Sequence, residues 1–102
     1  MLKTSMEFRR GILFIRVKGD LNKTTVKGIV DEDFKYIVIN IDDIYSIDSY
    51  SIKYLKKLYK NFKNNKGNII ICDKFNISKR LFKDIPKIDN EYDAFKLFER
   101  MI

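Results

Sequence analysis

Histidine and tryptophan are absent from this 102-residue chain, and cysteine and proline occur once each. Without histidine the chain lacks the commonest general base and the commonest metal ligand. A lone Cys72 excludes an internal disulfide and a thiolate zinc site. It lies in the apolar run Asn68-Ile-Ile-Ile-Cys72, which reads as a buried strand holding a small core residue rather than a reactive thiol. No apolar run approaches the roughly 20 residues that cross a bilayer. The first ten residues mix Lys3, Glu7, Arg9 and Arg10 among their apolar neighbours, unlike a secretory leader, so a cytoplasmic location is expected.

What the chain has in excess is lysine. The formal net charge is +7, which raises the question of nucleic acid. The lysines, however, are scattered along the chain and alternate with acids such as Asp31, Glu32, Asp33, Asp42, Asp43, Asp89, Glu91 and Asp93. A dispersed charge is a weaker footprint than one basic stripe, so nucleic acid is not the expected partner. Lys, Ile, Asn, Tyr and Phe make up about half the residues, the bias of AT-rich codons, and this accounts for much of the charge.

Periodicity orders the chain as ββαβαβαα. Met6–Arg10 and Ile12–Lys18, separated by Gly11, read as a hairpin, with Leu13, Ile15 and Val17 on one face and Gly19-Asp20 ending the second strand. Asn22–Val30 carries Val26, Ile29 and Val30 at helical spacing and predicts a short helix of about two turns, capped by Thr24 or Asn22 and weakened by Gly28. Tyr36–Ile41 is β-branched and continuous, a strand buried on both faces; Asp42–Asp48 is expected to leave it. A helix follows from Ser49 to Asn65, with Ile52, Leu55, Leu58 or Tyr59, and Phe62 on the inward stripe and Lys53, Lys56, Lys57, Lys60 and Lys63 mostly outside it. Gly67 is expected to stop it in a left-handed conformation. Ile69–Cys72 is the next strand and Asn76–Phe82 a short helix with Ile77, Leu81 and Phe82 inward. Pro86 breaks the chain, and Glu91–Met101 forms a last helix burying Tyr92, Phe95, Phe98 and Ile102. The expected fold is one α/β domain over residues 1–102, a central mixed sheet of about four strands with helices packed against it.

Gly19-Asp20-Leu21-Asn22, the strand Ile37–Ile41, the run Asp43-Ile44-Tyr45-Ser46-Ile47-Asp48-Ser49, Lys66-Gly67 and Lys79-Arg80-Leu81-Phe82 together resemble the STAS domain family in type and order. The resemblance is to its stand-alone anti-sigma factor antagonists and spans nearly the whole chain. It implies a cytoplasmic, non-enzymatic bacterial regulator of transcription without cofactor or metal. Such a protein binds an anti-sigma factor that is also a serine kinase. By position the phosphorylated serine is Ser49, with Asp20, Asn22, Asp48, Tyr50, Ser51 and Lys53 around it as partner-binding residues. Phosphorylation ends the binding, and a separate phosphatase acting on the phosphoserine restores it.

Ser49 also has a physical case of its own. A hydroxyl where a helix begins is accessible, can cap free N–H groups, and carries a phosphate that the helix end tolerates. Without a partner, the same residue reads as a plain helix cap. The chain departs from the family motif where Ser51 and Lys53 replace two glycines and Tyr50 stands before them. Asn22 stands where Asp is usual, and the first helix is about two turns shorter. These changes support a second reading, a STAS scaffold or assembly module without kinase control, in a stress-signalling complex or lipid-transport machinery. An enzyme is not expected: Asp42, Asp43 and Asp48 could at most hold magnesium, and Asp43 and Asp48 read better as residues that cap and shape the turn.

Overall fold

The computed structural model describes residues 2–30, 33–76 and 82–101. Strand β1 (Leu2–Arg9) turns into β2 (Ile12–Leu21) through two residues, Arg10 and Gly11, at φ +50° and +84°. Two positive φ angles in a two-residue loop twist the hairpin in the sense its strands need. Strand β3 (Tyr36–Ile47) lies parallel to β2, helix α1 (Ser49–Asn64) crosses over, and β4 (Asn68–Cys72) lies parallel to β3. A fifth strand, β5 (Lys87–Ile88), closes the sheet beside β4, and helix α2 (Glu91–Glu99) ends the fold. The sheet order is β1-β2-β3-β4-β5, with only the β1–β2 pair antiparallel. Among the described residues the sheet thus has five strands, one more than the about four expected. The fifth is two residues long and follows Pro86, so it carries no sequence signal of its own.

Alternation along the strands makes two cores. Leu13, Ile15 and Val17 of β2, Ile37, Ile39 and Ile41 of β3 and Ile69 and Ile71 of β4 point to the α1 side, where Leu55, Leu58 and Phe62 meet them. Ile12, Phe14, Val38, Ile70 and Cys72 point the other way, onto Ala94 and Phe98 of α2. Burial pushes the Cys72 thiol up to about 12, as expected of an inert core residue. Arg16, on the α2 side, donates from Nε at 2.9 Å and from Nη2 at 2.6 Å to Glu91, the first residue of α2. Asn40 donates to the same carboxylate at 2.8 Å. Burial alone would raise the Glu91 carboxyl, but Arg16 and Asn40 hold it below the usual range.

Several expectations are corrected. Strand β3 does not leave the sheet at Asp42. It continues to Ile47, because two register shifts let it follow β2 through Lys18↔Asp43, Gly19↔Ile44, Asp20↔Ser46 and Leu21↔Ile47. The expected helix over 22–30 is a turn followed by a 3-10 helix of three residues, Val26–Gly28. There the Asn22 side chain accepts from the Thr24 and Thr25 N–H groups at 2.9 and 3.2 Å, fixing a turn where a helix would need free progression. The left-handed residue after α1 is Lys66, at φ +64°, not Gly67. Lys66 N–H meets Lys63 O at 3.2 Å and Gly67 N–H meets Phe62 O at 2.7 Å, the paired bonds of a Schellman end. Gly67 serves close approach instead: a Cβ there would lie 2.5 Å from Lys35 O. Tyr92 is 67% exposed, and Ala94 takes its inward place. Phe82 is buried as expected, whereas Ile77–Leu81 and Ile102 lie outside the described residues.

Candidate partner-binding and phosphorylation site

Asp48 joins three pieces of chain. Its N–H donates to Leu21 O at 3.0 Å, where β2 ends. Its Oδ1 accepts from Ser51 N–H at 2.8 Å and its Oδ2 from Lys23 N–H at 3.2 Å. Asp48 is therefore the N-cap of α1 and the clasp of the β2 exit loop at once. The Ser51 hydroxyl and N–H, followed by the Lys23 N–H, hold its carboxyl below the ordinary aspartate range.

Ser49 follows the cap as the first residue of α1 and is exposed. The capping hydrogen bond at this helix end is made by Asp48, not by the Ser49 hydroxyl. No acidic residue lies in the first turn of α1 after the Asp48 cap, so the helix itself supplies no further side-chain anion to its free N–H groups.

Tyr50 is half-buried and stacks on Tyr54 with ring centroids 6.4 Å apart and planes 16° apart. Lys23 and Lys27, from the β2 exit loop, place their ammonium groups 5.8 and 5.7 Å from the Tyr50 ring, within cation–π range. Exposed Lys53 and Lys57 join Tyr50, Tyr54, Leu58 and Asn61 around an open groove of about 480 Å³. The start of α1 thus presents an exposed hydroxyl beside a tyrosine pair edged by four lysines.

Asp20 and Asn22 hold the loop that brings Lys23 and Lys27 there. Asp20 Oδ1 accepts from Ser46 Oγ at 2.7 Å, and Thr25 Oγ1 donates to Asp20 O at 2.8 Å. Ser51 is a correction. It is fully buried on the Leu55–Leu58–Phe62 stripe, and its Oγ makes no well-formed hydrogen bond. It offers neither contact surface nor an acceptor for a kinase. Its position four residues before Leu55 and seven before Leu58 is the helical signal for this burial.

Lys23, Lys27, Tyr54 and Lys57 were not assigned from the sequence. The pairs Tyr50/Tyr54 and Lys53/Lys57 repeat at i, i+4, a signal that was present. The two loop lysines gave none, because only the fold lays that loop against α1. Asp42 accepts from Lys74 N–H at 2.7 Å and Asp48 is the cap. Among the described residues no three His, Cys, Asp or Glu side chains gather to hold a metal. No described helix is long and apolar enough to cross a membrane.

Comparison with known proteins agrees with this fold. The STAS domain model matches residues 3–85. An anti-sigma F factor antagonist of Paenibacillus polymyxa is 28% identical over an alignment of 112 residues, covering 96% of each protein. Among solved structures, the anti-sigma factor antagonist SpoIIAA in its unphosphorylated form superposes with a TM-score of 0.78 at 16% identity, covering 98% of this chain and 100% of that one. An anti-sigma factor antagonist from Mycobacterium paratuberculosis gives 0.77 at 17% identity, covering 97% and 95%. With the family model matched from β1 to Ile85, and the five-stranded sheet and crossover helix in place, this chain belongs to the STAS domain family.

Proposed function

We propose that this chain is an anti-sigma factor antagonist that docks an anti-sigma factor of the serine-kinase type through the start of α1, and that phosphorylation of Ser49 ends the docking. One observation carries the reading. Ser49 is the first residue of α1, beside the Asp48 cap, and is exposed, whereas Ser51 two residues on is fully buried. A phosphate there adds about −1.5 to −2 charges at neutral pH. The helix end tolerates that charge, so the domain keeps its fold while a partner surface fitted to a neutral hydroxyl is repelled. Tyr50 and Lys53 supply the adjoining contact, and Asp20, Asn22 and Asp48 position the loop and helix that present it. A phosphatase acting on phosphoserine 49 resets the switch, and the reaction cycle belongs to the cytoplasm.

The relationship to an anti-sigma F factor antagonist supports the partner class. A scaffold without kinase control is the second reading, favoured by the bulk of Tyr50 and Lys53 beside the hydroxyl. Binding to a serine-kinase anti-sigma factor, measured by calorimetry, separates the two. Ser49→Ala is expected to bind as the unmodified protein does and Ser49→Asp at least tenfold more weakly, about 1.4 kcal/mol. Incubation with the kinase and ATP is expected to add one phosphate, at Ser49, by mass spectrometry. Equal binding by both variants, or no modification, would leave the scaffold reading.

A further inference from the structure

Strand β1 is the open edge of the sheet, and its sequence is complementary to itself. The opposite edge is β5, only two residues long, whereas β1 runs for eight residues in unbroken register with β2, from Leu2↔Gly19 to Arg9↔Ile12. Natural sheets blunt a long edge with prolines, bulges or several charges; β1 has none of the first two. The two-residue turn makes Arg9 and Ile12 a hydrogen-bonded pair, so Arg9, Glu7, Ser5 and Lys3 direct their backbone groups to β2. Leu2, Thr4, Met6 and Phe8 therefore direct theirs outward. The side chains of these four lie on the α1 side, opposite Gly19, Val17, Ile15 and Leu13. Among the described residues no helix covers Met6 and Phe8, which are 49% and 59% exposed; the Phe8 ring lies 5.1 Å from that of Phe34 at the rim.

We infer that two copies of this chain pair antiparallel along β1, about a two-fold axis through Ser5. In that register Leu2 faces the second copy's Phe8, Lys3 faces its Glu7, Thr4 faces its Met6, and Ser5 faces its counterpart. Every residue with outward backbone groups meets another such residue. Of the three charged residues of β1, Lys3 and Glu7 meet the opposite sign, twice over by symmetry, and Arg9 lies beyond the paired positions 2–8; the apolar side chains of the α1 side continue across the junction. Glu7 already accepts from Arg16 at 3.2 Å and from Arg9, and its two oxygens keep lone pairs for an ammonium. Sliding by two residues one way sets Lys3 against Arg9; sliding the other way sets Lys3 against Ser5 and breaks both Lys3–Glu7 pairs. Charge thus selects one register. The dimer leaves the start of α1 uncovered, and its existence does not depend on the partner-binding reading.

The register makes the test specific. Across a non-hydrogen-bonded antiparallel pair the Cα atoms are about 4.5 Å apart, within disulfide reach. In the full-length chain, Ser5→Cys is expected to form a covalent dimer under mild oxidation about tenfold faster than Thr4→Cys or Met6→Cys, whose thiols do not face themselves. Cys72 is buried and leaves the parent chain as an uncrosslinked control. Sedimentation of the parent chain is expected to show a concentration-dependent dimer, lost in Lys3→Glu, which sets Glu against Glu7 twice. A parent chain that stays monomeric at millimolar concentration, a Lys3→Glu variant that dimerises as the parent does, or equal crosslinking at positions 4, 5 and 6, overturns the proposal.

Discussion

A negative charge placed at Ser49 should make the isolated domain more stable. The residue is the first of a 16-residue helix with no acid in its first turn. An exposed anion at such a place interacts with the helix dipole by about 0.3–1 kcal/mol at low ionic strength. Lys53, four residues on and exposed, adds about 0.3 kcal/mol. The ionised Asp48 next door opposes both. The net expectation for Ser49→Asp is about 0.5 kcal/mol of added stability, a rise in Tm of about 2–4 °C for a domain of this size. The reference is Ser49→Asn, which has the same shape without the charge. Thermal unfolding followed by circular dichroism at low ionic strength and at 1 M salt reads the difference, which high salt should largely remove. A Ser49→Asp domain less stable than Ser49→Asn at low salt would refute the reasoning. The side chain could not then lie at a solvent-facing helix start.

Other expectations follow from single contacts. Lys66→Gly should stabilise by about 1 kcal/mol in urea unfolding, because a non-glycine residue there holds φ +64° against its side-chain sterics. Phe98→Ala should cost about 3–5 kcal/mol in the same assay, since Phe98 is fully buried and, with Ala94, closes the α2-side core. The depressed Asp48 carboxyl gives a pH signature. Its contribution is present above the unfolded value near 3.8 and is lost as pH falls through the lower folded value, so acid unfolding should be steeper in the parent than in Asp48→Asn.

The central strand, the hairpin and α1 were legible because their patterns are local. Ile37–Ile41 is unbroken and β-branched, and α1 shows an apolar stripe behind an Asp-Ser start. The second half of β3 was not legible. Asp42, Asp43 and Ser46 read as turn formers, and only the matching extension of β2 through Asp20 and Leu21 holds them in the sheet. The segment after β2 failed for the opposite reason: Val26 and Ile29 have helical spacing and are buried, but Asn22 binds the backbone first. Of the candidate site, the helix start at Ser49 and the capping role of Asp48 could be read directly, but Ser49 is the first helical residue and not the cap it could also be read as. The inward turn of Ser51 was hidden by its polarity, and the loop lysines by their distance along the chain.

On the proposed reading, the clasp at Asp48 also constrains a kinase that would modify Ser49. Many protein kinases lay an unfolded stretch of substrate across their active cleft, yet here the residues on either side are committed, Ile47 to a sheet and Tyr50 to a helix. Recognition has to be of a shaped surface rather than of a short linear motif. A synthetic peptide copying positions 43–55 should go unmodified under conditions where the intact domain is a substrate.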